Sequence, residues 1–142
     1  MSYRRLYYHL VWATYRRRPT ITRDVERSIH RALRNKAREL KAFVYAIGNV
    51  EDHIHLAISI PPTIAVAECV RHLKGASSYI VNREHAGIDF AWQTGYGAFT
   101  FGDRDKPIVV AYVRNQKRHH CAETTLSALE RTPDDENDER NE

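Results

Sequence analysis

Large apolar positions recur at every second residue from 54 to 60: Ile54, Leu56, Ile58 and Ile60 fall on one parity, His53, His55, Ala57 and Ser59 on the other. Successive side chains of a strand point to opposite faces, so Val50–Pro62 contains a strand with one apolar face and one histidine-bearing face. Tyr3–Thr14, rich in aromatic and β-branched residues, reads as an earlier strand, followed by a basic, proline-containing turn over Tyr15–Thr22. Thr22 can cap a helix over Arg23–Leu40, in which Val25, Ile29, Ala32, Leu33, Ala37 and Leu40 recur at helical spacing. Ala42–Asn49 reads as a second strand, turned by Asn49–Asp52 into the histidine strand as an antiparallel hairpin that Pro61 and Pro62 terminate. A second helix spans Ile64–Arg83, with Val66, Val70, Leu73, Ser77 and Ile80 on its buried stripe. Trp92–Gly102 is turn-rich and then alternates as a strand, and one last helix runs from Lys106 to His120 with Pro107 in its first turn. The order β-α-β-β-α-β-α predicts an α+β protein: a ferredoxin-like split βαβ antiparallel sheet with an additional C-terminal helix.

Composition narrows the setting. A chain of 142 residues, 42% hydrophobic and 28% charged, is that of one ordinary globular domain, and no apolar run approaches the roughly 20 residues of a membrane span. The N-terminus, MSYRRLYYHL, lacks the apolar stretch and small-residue cleavage site of a signal peptide. Two cysteines, Cys69 and Cys121, form neither a disulfide framework nor a CxxC metal pair. These readings imply a cytoplasmic protein with reduced thiols and no membrane partner. The net charge of +4 is unevenly spread: Pro133–Glu142 holds six acids against one arginine, a net of −5, so the remainder carries +9. A basic body favours a polyanionic partner, although many basic proteins bind no nucleic acid. We divide the chain into a domain over 1–122 and an acidic tail over 123–142, expected to be disordered.

The chemistry lies on the polar parities. Two imidazoles side by side on a strand make a two-nitrogen claw for a divalent metal, neutral imidazole being a common metal ligand. On the last helix Tyr112 and Gln116 are four residues apart and share a face, so that face could meet the histidines and add an amide oxygen as third ligand. Gln116 could equally hydrogen-bond the phenol. A phenol, with a pKa of about 10, is a poor nucleophile at neutral pH unless a metal polarises its target. Its attack on a phosphodiester yields a covalent phosphotyrosine, which the released sugar hydroxyl can reverse: breakage and rejoining in place of hydrolysis. His119 and His120 read either as phosphate contacts or as a solvated helix end. Arg16, Arg17 and Arg18 could clamp a DNA backbone or line a solvated loop, while Arg71, Lys74, Lys117 and Arg118 are further candidates for DNA contact. Trp92, Tyr96 and Phe99 could stack on unpaired bases, with Phe99 favoured as packing, and the TGYG run lacks the lysine and spacing of a P-loop.

Four segments carry a resemblance: HIHLAISIPP, the RHLKGASSYIVN run at Arg71–Asn82, WQTGYGAFTF and AYVRNQKRHH. In order and spacing they resemble the single-tyrosine HUH transposases of the insertion-sequence 200/605 type, over nearly all of Tyr3–His120. The resemblance implies a ferredoxin-like fold with a C-terminal catalytic helix, an obligate homodimer and single-stranded DNA substrates bearing imperfect hairpins. It also implies a divalent cofactor, Mg²⁺ or Mn²⁺, in a prokaryotic cell. Carried over by motif, His53, His55 and Gln116 become metal ligands and Tyr112 the nucleophile. After His120 the chain departs from many members: in place of an apolar, aromatic segment it continues ETTLSALERTPDDENDERNE. Two other readings stay open, a metal-dependent nuclease that uses water and a domesticated relative that only binds hairpin DNA.

Overall fold

The computed structural model describes residues 5–121, with side chains up to residue 118. Strand β1 (Tyr7–Ala13) leads through a 3₁₀ turn at Tyr15–Arg17 to helix α1 (Arg23–Glu39). The hairpin β2 (Phe43–Asn49) and β3 (His53–Ser59) follows, then helix α2 (Val66–Glu84), strand β4 (Gly97–Phe101) and two short helices, α3 (Lys106–Arg114) and α4 (Gln116–Cys121). The sheet order is β2-β3-β1-β4 and every neighbouring pair is antiparallel. This is the expected α+β, ferredoxin-like sheet. The tail over 123–142, its predicted disorder included, lies outside the described residues, as do the side chains of His119 and His120.

Local chemistry sets the boundaries. The Thr22 side chain accepts from the Val25 amide at 3.5 Å, with Asp24 and Glu26 in the first turn of α1 and Lys36 and Arg38 in the last, which suits the helix dipole at both ends. At its C-terminus Lys41 takes a φ of 60°, so that the Ala42 amide reaches back to the Ala37 carbonyl at 2.9 Å and closes the helix.

The two parities of the strands become two unlike faces. On one, Leu10, Trp12, Ile47, Ile54, Leu56, Ile58 and Ile60 pack against α1 (Val25, Ile29, Leu33) and α2 (Cys69, Val70, Leu73, Val81) in the main core. Most of the expected helix stripes hold, but Cys69 and Val81 are buried on α2 while Val66 and Ile80 are only partly so. On the other face a small cluster, Ala46 and Ala57 with Val109 and Val113, seats α3 on β2 and β3.

One expectation fails. Residues 106–120 do not form one helix: Asn115, at φ −101° and ψ 28°, breaks it between Arg114 and Gln116. The Asn115 side chain donates to the Ala111 carbonyl at 2.8 Å, one turn back. That is the local competition with helix hydrogen bonding for which asparagine is a weak helix former.

Candidate active site

Strand register fixes which residues share the second face. In the β1–β3 pairing His55 lies opposite Val11, His53 opposite Ala13 and Ala57 opposite His9, so His9, His53 and His55 all project to the side that α3 covers. All three are buried, His9 and His55 completely. His9 Nε2 and His55 Nδ1 share a hydrogen bond at 2.8 Å, and their rings stack 5.0 Å apart. His53 Nδ1 is 2.7 Å from Asp52 Oδ1. That hydrogen bond, ahead of every other influence, holds the Asp52 carboxyl below the usual carboxylate range. Both HUH histidines are thus engaged through Nδ1, one by a carboxylate and one by an imidazole. Such a partner at Nδ1 fixes the orientation of each ring.

Helices α3 and α4 bring the remaining predicted residues to the same face. The Tyr112 ring stands edge-on to His55 and His9, with centroids 6.1 and 6.5 Å away, and only 4% of the residue is exposed. Gln116, 1% exposed, donates from Nε2 to the Tyr112 backbone carbonyl at 3.0 Å. Only the nitrogen end of an amide can face a carbonyl, which assigns the other end as Oε1. That oxygen is buried and has no hydrogen-bond partner among the described residues.

Orphaned buried acceptors are rare and ask for an explanation. A divalent cation bound there would satisfy it. Among the described residues no three His, Cys, Asp or Glu side chains cluster as a metal cage. The set that fits is two imidazoles plus an amide oxygen, ligands suited to a hard or borderline divalent ion. The ends of α3 are pinned beside this set: Lys106 Nζ lies 3.9 Å over the Tyr45 ring, and Arg114 donates to the Tyr45 carbonyl at 3.2 Å.

The basic candidates divide. In the turn after β1, Arg16 and Arg17 adopt φ of 53° and 51°, strained for non-glycine residues. Arg16 and Arg18 stack over Tyr15, and Arg17 approaches Asp52 at 3.9 Å, which sets the turn beside the His53 end of the site. Arg71 is largely exposed, 3.8 Å from Glu68. Lys74 is half-buried and donates to the Gln93 and Gly95 carbonyls at 2.8 and 2.5 Å, and burial lowers its pKa to about 8. With Trp92 and Tyr96 these two line a groove of about 480 Å³ between α2 and the loop before β4. Phe99 is half-buried and lies 5.8 Å from the His9 ring. Arg118 is exposed. Lys117 instead pairs with Glu26 of α1 and reaches the Asn49 carbonyl at 3.5 Å, so it ties α4 to the body of the domain.

The sequence reading missed His9 and Asp52. Asp52 could have been found, since it precedes the histidine pair directly. His9 sits alone in an aromatic strand, and only the β1–β3 register brings it to His55.

A model of the IS200-like transposase family matches residues 2–116. The ISDra2 transposase TnpA of Deinococcus radiodurans is 26% identical over 117 residues, covering 78% of this chain and 84% of that protein. The transposase for insertion sequence element IS200 of Salmonella typhimurium is 26% identical over 115 residues, covering 77% and 75%. Among solved structures, a candidate transposase from D. radiodurans R1 superposes with a TM-score of 0.67 at 24% identity, over 82% of this chain and 95% of that one. A REP-associated tyrosine transposase bound to a REP hairpin superposes with a TM-score of 0.65 at 16% identity, over 84% and 74%. These two structural likenesses concern the fold.

Proposed function

This chain belongs to the IS200-like transposase family, a family of DNA-cleaving enzymes, and on that premise we propose that it cuts and rejoins single-stranded DNA through Tyr112. The observation that carries the reading is the meeting of three separate segments on one sheet face: His53 and His55 from β3, Tyr112 from α3 and Gln116 from α4. A surface tyrosine or a structural histidine has no need of such company.

In this reading His53, His55 and the Gln116 Oε1 hold a Mg²⁺ or Mn²⁺ ion, which supplies Lewis-acid polarisation of the scissile phosphate when bound. The Tyr112 hydroxyl attacks phosphorus; its O–P bond forms as the bond to the leaving sugar oxygen breaks. The products are a 5′-phosphotyrosine and a free 3′-hydroxyl, and attack by a 3′-hydroxyl reverses the step. Asp52 and His9 hold the two imidazoles in place. Tyr112 and Gln116 are buried, so a DNA strand reaches them when α3 shifts on its small contact patch of Ala46, Ala57, Val109 and Val113.

The strained Arg16–Arg18 turn beside Asp52, with Arg71, Lys74 and Arg118, supplies cations for a phosphate backbone, and Trp92 and Tyr96 offer rings to unpaired bases. Lys117 has a second duty, since its ammonium is already paired with Glu26. The relative solved with a REP hairpin supports hairpin-bearing DNA as the substrate. We further propose that the working unit is a homodimer, whose two tyrosines let two DNA ends be exchanged.

The test is a denaturing gel of the protein incubated with single-stranded oligonucleotides from both flanks of its own gene, with and without Mn²⁺. A metal-dependent, protein-linked DNA band is expected. Cleaved DNA with no linked band would mean a hydrolytic nuclease, and binding without either product would mean a domesticated binder.

A further inference from the structure

The junction of α3 and α4 approaches the sheet more closely than any side chain would allow. Gly48 of β2 lies opposite His55 in the β2–β3 register and therefore shares its face. A Cβ at Gly48 would lie 1.6 Å from the Val113 carbonyl oxygen, 2.8 Å from its carbonyl carbon and 3.0 Å from Gln116 Cγ. Real Cβ contacts do not fall below 3.0 Å. The two nearest atoms are backbone, so relief cannot come from a rotamer change; the helix end itself would have to rise by more than an ångström. A Cβ at Gly75 or Gly102, by contrast, meets nothing within 4 Å. Glycine inside a strand is otherwise a cost, and close approach of another backbone is one of the few reasons for it.

We propose that Gly48 is a positioning residue of the site: its missing side chain sets the height of the α3–α4 junction above His55, and so brings Gln116 Oε1 into the donor set. The inference rests on the metal reading above. Ligand distances at a metal tolerate about ±0.2 Å. A rise of more than an ångström therefore removes the third ligand while leaving both imidazoles in place.

The experiment measures Mn²⁺ binding by electron paramagnetic resonance of the free ion, on full-length protein without DNA, alongside thermal unfolding. The variants are Gly48→Ala, Gln116→Ala, the double variant, His53→Ala as a site control and Gly75→Ala as a glycine control. Gly48→Ala is expected to weaken binding by about 10-fold or more, as loss of ligand support does elsewhere, with cooperative unfolding retained. On the Gln116→Ala background it should add almost nothing, because the ligand it positions is already gone. Gly75→Ala should bind as wild type. The proposal is overturned if Gly48→Ala binds as wild type, if it costs as much on the Gln116→Ala background, or if it abolishes cooperative unfolding and so marks Gly48 as a packing residue of the whole fold. Failure of the metal reading looks different: wild type then binds no Mn²⁺, or His53→Ala binds it equally, and this proposal falls with it.

Discussion

The two faces of the sheet use the same strands for opposite ends. Toward α1 and α2, nineteen buried residues among those described form one apolar cluster, many of them large branched or aromatic side chains that fill space. Toward α3, the buried apolar cluster among the described residues has four members, two of them alanines, and beside it stand three histidines, a tyrosine and a glutamine. The first face supplies the free energy of folding. The second is covered by a nine-residue helix on a small patch, held at its ends by Lys106, Arg114 and the Lys117–Glu26 pair. On the proposed function this face admits a DNA strand, and light fastening suits that, because elements that move are drawn from the low-stability end of a structure.

The contrast can be broken from either side. The largest effect belongs to the chemical face: His53→Ala should remove DNA cleavage through loss of metal affinity, and chelation of wild type with EDTA should do the same, both read on the cleavage gel. On the folding face, Ile54→Ala, one residue along the same strand, should cost about 2–5 kcal/mol of stability by chemical denaturation, with the site chemistry intact in whatever fraction stays folded. Val109→Ala, on the face of α3 that seats on the sheet, should cost less, about 1–2 kcal/mol. A cost at Val109 equal to that at Ile54 would remove the distinction between the faces.

A smaller effect comes from Lys74. Its pKa of about 8 in the fold lies below the ordinary 10.5, because burial disfavours the ammonium. Between those values the unfolded chain holds a proton that the folded one has released, so stability should rise with pH across that window. The rise should flatten in Lys74→Met, measured by denaturant midpoints at pH 7.5, 9 and 10.5. If Lys74 contacts DNA as proposed, wild-type affinity for a single-stranded oligonucleotide should weaken over the same range.

What is legible in the sequence follows from what periodicity encodes. Parity alone sets His53 and His55 opposite Ile54 and Leu56, since one face of β3 has to be apolar. Helical spacing likewise groups Tyr112 with Gln116, although the helix breaks at Asn115 between them. Periodicity is silent on tertiary register. For that reason it reveals neither His9, a strand away from His55, nor Gly48, whose meaning lies in a carbonyl 65 residues later. Lys117 is hard to read for a related cause: a lysine beside a catalytic segment looks available until its partner Glu26, on α1, is in view.

The central claim is that the lightly covered face performs tyrosine transesterification, and intact-mass spectrometry tests it most directly. Full-length protein would be incubated with a cleavable single-stranded oligonucleotide and Mn²⁺, then digested and sequenced by fragmentation. The account predicts a mass increase equal to the 5′-phosphorylated DNA fragment less one water, carried on the peptide containing Tyr112 and absent from Tyr112→Phe, which should still bind the oligonucleotide. An adduct on another residue, or one that persists in Tyr112→Phe, would contradict it.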